Sequence, residues 1–223
     1  MLERTANNTA ARDFFCPACG NPFELKSKKG KFANLVTDGA YRTMIEAIRE
    51  NRQPNLFLLS YRLPFVVTDL SVLPRRFLVE PMVIRRKPLS DTARRAGWIG
   101  CNLSLKLIPR SALIPCMVGG TAIEQHVIQK LWLRTAAFDD LGILARGWAA
   151  MTLGVIERIR KARFSIRDVY EFESILATAF PNNRNIRPKL RQQLQVLRDL
   201  GFIRFLGQGE YELTNLVRQG VLT

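Results

Sequence analysis

The sequence predicts an α/β domain followed by an α+β winged-helix domain, with the change of character near Arg146. Three observations carry this expectation. Two apolar runs of strand length, Asn55 to Tyr61 and Phe65 to Leu73, follow a helical stretch and are joined by a Pro-containing connection. Beyond Arg146, three helical segments lead into a strand, a Gly-Gln-Gly turn and a second strand. The third observation is charge: 34 Lys and Arg against 19 Asp and Glu leave +15 over 223 residues. Residues 1–143 hold 21 basic and 12 acidic side chains (+9) and residues 144–223 hold 13 and 7 (+6), so both parts favour a polyanionic partner. An apolar fraction of 47% is that of an ordinary globular chain, not of a disordered one.

Residues 1–12 are polar and aperiodic, a frayed start. The stretch from Asp13 to Gly30 then brings two carboxylates, a Cys-x-x-Cys pair and a basic run together. With Phe23 to Ser27 as a strand, Glu24 and Lys26 share one face while Leu25 turns into packing. Asp13 on a neighbouring strand would add a second acid. Two acids and an ammonium form a candidate metal-dependent phosphodiester-cleaving centre, with Mg²⁺ on the oxygens and Lys26 orienting the attacking water. Thr37 or Asp38 is placed to cap a helix running to about Asn51, with Met44, Ile45 and Ile48 inward. The two apolar strands suit a sheet packed against that helix.

Arg85 to Asn102 has neither helical nor strand period and reads as a basic loop carrying Trp98. Its Arg and Lys residues suit phosphates or guanine edges, and the indole suits stacking on a base; a buried Trp among solvated arginines fits the composition equally well. Ile114 to Val118 reads as a strand. Ala122 to about Arg134 reads as a helix with Ile123, Val127, Ile128 and Leu131 inward, and the lone His126 as structural.

In the C-terminal part, Gly147 to Lys161 is helical. Ser165, with Asp168 three residues on, caps a helix extending to Phe180. Asn185 caps a third helix with an apolar stripe of Ile186, Leu190, Leu194 and Leu197, leaving Lys189, Arg191, Gln192 and Gln195 outward or on the flank. Helices followed by a hairpin make a winged helix whose third helix enters the major groove while Arg204 on the wing touches phosphate. Use of the same fold for protein contacts is the alternative.

No apolar run is long enough to span a membrane, and the first residues lack a signal-peptide core, so a cytoplasmic protein with reduced thiols is expected. Cys16 and Cys19 then read as half a metal site, and Cys101 and Cys116 as packing residues.

Several segments resemble the DpnI-type methyl-directed restriction endonucleases: Phe23-Glu-Leu-Lys-Ser-Lys-Lys-Gly30, Asp38-Gly-Ala-Tyr41, Arg86-Lys-Pro-Leu89, Thr92-Ala-Arg-Arg-Ala-Gly-Trp-Ile-Gly-Cys-Asn102, and Arg191-Gln-Gln-Leu-Gln195 with Leu197-Arg-Asp199. The resemblance spans about Asp13 to Leu213. It implies a PD-(D/E)xK nuclease domain, a mixed sheet with flanking helices, in residues 1–143, and a winged-helix DNA-binding domain in 144–223. It implies an enzyme of a restriction-modification system that cuts double-stranded DNA at GATC when the adenine carries an N6-methyl group; a monomer is expected. Asp13, Glu24 and the backbone carbonyl of Leu25 become Mg²⁺ ligands, and Lys26 supports the water nucleophile. DNA contacts fall to Lys28, Lys29, Arg94, Arg95 and Trp98, and to Lys189, Arg191, Gln192, Gln193, Gln195 and Arg204. Relatives carry a further segment ahead of the catalytic strand with a second Cys-x-x-Cys, so an upstream start is expected. Cys16 and Cys19 are half of a structural Zn²⁺ site. The competing expectation is a noncatalytic methylated-DNA-binding protein on a decayed or truncated nuclease scaffold.

Overall fold

The computed structural model describes residues 2–5, 12–18, 20–106, 108–215 and 217. Contacts divide the chain into two compact units, residues 1–106 with 113–133, and residues 107–112 with 134–223.

The first unit runs β1 (Glu3–Arg4), β2 (Phe14–Phe15), β3 (Pro22–Lys29), β4 (Leu35–Ala40), α1 (Tyr41–Arg49), β5 (Asn55–Arg62), β6 (Val66–Leu73), β7 (Val83–Arg85), β8 (Gly100–Ser104), β9 (Ile114–Val118), β10 (Thr121–Ala122) and α2 (Gln125–Arg134). Seven strands form one sheet in the order β1-β2-β3-β5-β6-β9-β10, and β4-β8-β7 form a second. Among the described residues only β3 and β5 pair in parallel, with Glu24 opposite Leu56 and Lys26 opposite Leu58. Strand period then sorts the faces. Phe23 stacks on Phe57 at 5.2 Å on one side, while Glu24 and Lys26 share the other with the buried Leu56 and Leu58.

Two local expectations change here. Thr37 and Asp38 do not cap a helix: they lie in β4, bonded to β8 across from Asn102 and Cys101, and α1 begins only at Tyr41 without a side-chain cap. Ladder pairing and the inward placement of Val36 and Asp38 outweigh the local capping signal. Met44, Ile45, Ala47 and Ile48 of α1 are buried as the pattern requires, but that helix sits chiefly against β4 and β7 of the smaller sheet. The second change is α2, which starts at Gln125 and has no buried residue; Val127 and His126 are exposed and Ile128 and Leu131 half-buried.

The second unit contains α3 (Ile143–Ile159), β11 (Arg163–Ser165), α4 (Ile166–Tyr170), α5 (Glu173–Ala179), α6 (Ile186–Asp199), β12 (Ile203–Gly207) and β13 (Glu210–Leu213). Every residue of α3 from Arg146 to Glu157 is buried, so it is the central helix of this unit. Trp148 stacks on Phe180 with centroids 3.8 Å apart, and Phe138 meets Phe202 edge-on at 5.2 Å. Ser165 and Asp168 form the expected reciprocal cap, Ser165 N–H donating to Asp168 Oδ2 at 2.7 Å. The continuous helix expected from Ser165 to Phe180 is instead two short helices, with Phe172 at the N-cap of the second. No Gly or Pro marks that bend. Packing imposes it, with Val169 and Leu176 both fully buried. The hairpin is tightened by Gly207, Gln208 and Gly209, which have φ of 98°, 49° and 79° in succession, a path that only glycine takes without strain at its two ends. Strands order as β11-β13-β12.

Candidate active site

Three acids and one lysine converge on β3. Glu24 and Lys26 project from the same strand face, and Lys26 Nζ donates to Glu24 Oε1 at 2.6 Å. The same ammonium donates to Asp38 Oδ1, bridging from the large sheet to β4 of the small one. Asp13 lies immediately before β2, where its N–H donates to Phe23 O at 2.8 Å, and its Oδ2 accepts from Leu25 N–H at 2.7 Å. Backbone pairing thus sets Asp13 beside the Glu24-Leu25-Lys26 run. Behind Asp38 sits the fully buried Cys101, opposite it in the β4–β8 ladder, with Sγ 3.8 Å from Asp38 Oδ2.

The electrostatics follow from this packing. Flanked by Leu56 and Leu58, the Glu24 carboxyl loses hydration, which raises its pKa; Lys26 pulls it back, while the charges of Asp38 and Asp13 push it up further. Burial alone would lower Lys26, but the two carboxylates and their hydrogen bonds outweigh it and raise its pKa, so the ammonium stays charged. Burial and the neighbouring Asp38 push the Cys101 thiol up to about 12, which keeps it a neutral donor. Glu24 Oε2 is buried without a hydrogen-bond partner. A buried acceptor left open in this way is costly unless a ligand completes it.

Asp13, Glu24 and Lys26 are thus brought together, and the cluster includes one residue the sequence reading placed elsewhere. Asp38 shares β4 with Val36 two positions earlier, both inward, which is the strand signal that could have revealed it. Among the described residues, no three His, Cys, Asp or Glu side chains gather closely enough to hold a metal ion. Cys16 is a half-buried thiol; Cys19 lies outside the described residues.

Lys28 and Lys29 continue β3 as exposed cations. Beyond them, a cleft of about 730 Å³ is lined by Lys29, Lys31, Arg62 and Asp69, among others. A second cleft of about 750 Å³ is lined by Trp98 together with Tyr41, Arg42, Arg49 and Arg85. The loop from 86 to 99 is held in shape by backbone bonds: Leu89 N–H to Trp98 O at 2.9 Å, Gly97 N–H to Leu89 O at 3.1 Å, and Arg86 N–H to Gly100 O at 3.0 Å. Arg94 and Arg95 are exposed and Trp98 is half-buried. The indole lies so close over Gly100 that a Cβ there would meet ring carbons Cη2 and Cζ3 at 2.8 Å. Gly100→Ala is therefore expected to displace the indole. A change in tryptophan emission that is lost in a Trp98→Phe background would register it, with the melting temperature moving by only a few degrees.

In the second unit, Arg191, Gln192 and Gln195 face outward from α6. Gln193 does not: it is 1% exposed, on the inner face with Leu190, Leu194 and Leu197, and cannot reach an external partner. Its position three residues after Leu190 and four before Leu197 already puts it on that stripe. Lys189 is half-buried, its ammonium 5.8 Å from the Trp148 ring centroid and donating to Gln192 Oε1 at 2.8 Å. Arg204 on β12 and Arg163 on β11 both pair with Glu212 on the central β13 of this unit's sheet.

A family model described as DpnI, the Dam-replacing family, matches residues 1–140, and a second, DpnI_C, the Dam-replacing HTH domain, matches residues 145–213. The chain belongs to the DpnI family. That is a family of methylated-DNA-dependent restriction endonucleases, which makes nuclease action on DNA the chemistry to explain. The HTH match falls on the unit that contains α4, α5 and α6, and the DpnI match includes all four residues of the carboxylate–lysine cluster. No helix among the described residues is long and apolar enough to cross a membrane.

Proposed function

We propose that the chain is a Mg²⁺-dependent type II endonuclease that hydrolyses double-stranded DNA at GATC sites carrying N6-methyladenine. In this reading, the first unit is a PD-(D/E)xK nuclease domain and the second a winged-helix reader. The observation that carries it is the Lys26 ammonium held between the largely enclosed carboxylates of Glu24 on β3 and Asp38 on β4, beside Asp13.

The donor set suits a hard cation. Asp13 and Glu24 offer carboxylate oxygens and Leu25 a carbonyl, and Glu24 Oε2 is a buried acceptor with nothing bonded to it. Magnesium characteristically takes one or two protein carboxylates and fills its remaining positions with water and phosphate oxygens, so two acids suffice. When bound, Mg²⁺ would supply Lewis-acid charge to the scissile phosphate and lower the pKa of an attacking water. Lys26 orients that water and offsets the negative charge that builds on the phosphoryl oxygens as one P–O bond forms and the ester P–O bond breaks. Its burial among aliphatic neighbours makes each of these charges count for more than it would in water. The exposed Lys28 and Lys29 hold adjacent phosphates.

Methyl recognition falls to Trp98 with Arg94 and Arg95. An N6-methyl group adds an apolar bump to the adenine edge in the major groove, and an aromatic face rewards it where another cation would not. Arg191, Gln192 and Gln195 of α6 read a groove, with Lys189 on the flank and Arg204 on the wing. For structural zinc, Cys16 and Cys19 would supply two of the four ligands such a site uses.

The test is incubation with Mg²⁺ and matched plasmids differing only in adenine methylation. The methylated plasmid alone should be cut, and Glu24→Ala should abolish cutting. Equal cutting of both plasmids would sink the methyl-directed reading, and methyl-specific binding without cutting would establish the noncatalytic reader instead.

A further inference from the structure

We propose that Asp38 is a positioning residue: it anchors the Lys26 ammonium so that the lysine stays in place while Glu24 engages its own ligand. This rests on the nuclease reading above and assigns a division of labour among the three acids.

The two acids that touch Lys26 have different surroundings. Asp38 is the more enclosed, with its side chain 3% exposed against 17% for Glu24. Both of its oxygens have partners, Oδ1 with the ammonium and Oδ2 with the Cys101 thiol. Glu24 uses only Oε1, and its Oε2 remains a buried acceptor with no partner. An acid with both oxygens committed is a fixture, whereas one with an open oxygen is a ligand awaiting a partner. The backbone supports the same assignment. Asp38 faces Cys101 directly in the β4–β8 ladder, Val36 pairs with Leu103 two residues earlier, and Val36, Cys101 and Leu103 are all buried. The carboxylate therefore has little freedom to follow an incoming ligand. Gly39 O, 3.6 Å from Cys101 Sγ, closes the same small network.

The geometry also sets what Lys26 offers. An ammonium has three donors, and two of them point at Glu24 and Asp38. If the bond to Glu24 is given up, Asp38 alone holds the side chain, and two donors remain for a water and a phosphate oxygen. Without Asp38, the long lysine stem would regain rotamer freedom at the moment when orientation matters most.

Two readouts on Asp38→Asn, Asp38→Ala and Glu24→Ala test this. In selectively ¹⁵N-lysine-labelled, metal-free protein, the Lys26 ammonium should give a slowly exchanging NMR signal that survives Glu24→Ala and disappears in Asp38→Ala. In single-turnover cleavage at saturating methylated DNA, Asp38→Asn should be about 10²-fold slower, with DNA affinity in EDTA within twofold of wild type and the melting temperature within a few degrees. A purely structural carboxylate would lower the melting temperature and leave the ammonium signal of the folded protein unchanged. That result, or wild-type cleavage by Asp38→Asn, overturns the proposal. Should the wild-type chain not cut at all, the nuclease reading fails by itself, and the ammonium signal still decides whether Asp38 is the anchor.

Discussion

Lys26→Met is expected to reduce single-turnover cleavage of methylated DNA by about 10³-fold while leaving DNA affinity in EDTA within about threefold of wild type. The size of the effect follows from where the charge sits. The Lys26 side chain is 14% exposed, sits beside Leu58 of the paired strand, and bonds to both Glu24 and Asp38. Methionine keeps the approximate length of the side chain and removes the charge. The two carboxylates would then repel each other without a compensating partner, driving the pKa of Glu24 further upward and weakening its hold on any cation. Some stability goes too, about 1–2 kcal/mol, less than for a fully enclosed pair because water reaches this site. Lys26→Arg should not restore cutting, since a planar fork cannot take the place of a compact ammonium between the same two acids. A rate within tenfold of wild type for Lys26→Met, measured with saturating DNA, would remove the lysine from the chemistry.

Glu157→Ala should destabilise the second unit by about 3 kcal/mol in urea unfolding followed by hydrogen exchange of α3 and α6. Glu157 is 3% exposed near the end of α3, and its carboxylate accepts from Arg110 N–H, Ser111 N–H and the Ser111 hydroxyl. It thereby ties Arg110 and Ser111, which lie in sequence between β8 and β9, to α3. Alanine would leave those donors without an acceptor. Glutamine keeps one acceptor oxygen and should cost only about 1 kcal/mol. Burial raises the Glu157 pKa despite these bonds, so the folded state holds its proton more tightly than the unfolded chain. The corresponding stability is fully present below the ordinary carboxylate value and is lost as pH rises through the raised one. Glu157→Gln should flatten that part of the stability profile, and an unchanged slope would show that another group sets it.

Much of the chain was legible in its sequence because the information was local. Strand period alone puts Glu24 and Lys26 on one face and Leu25 on the other. Ser165 and Asp168 at three-residue spacing announce a capping box, and Ile186, Leu190, Leu194 and Leu197 announce the buried stripe of α6. Gln193 was equally legible, since helical spacing places it on that stripe whatever its polarity. The quoted motif segments, above all the long run through Trp98, carried the family.

What only the tertiary structure decided concerns partners distant in sequence. Thr37-Asp38 has the local chemistry of a helix cap, and nothing nearby says otherwise; pairing with a strand more than 60 residues later makes it part of a sheet and turns Asp38 toward Lys26. The bend between α4 and α5 has no breaker residue and comes from packing. The bonds from Arg110 and Ser111 to a buried glutamate nearly 50 residues downstream likewise link positions that no local pattern connects. A sequence fixes side-chain type and local period, but the desolvation that raises Glu24, and the second acid that holds its lysine, exist only once β3, β4 and β5 have closed around them.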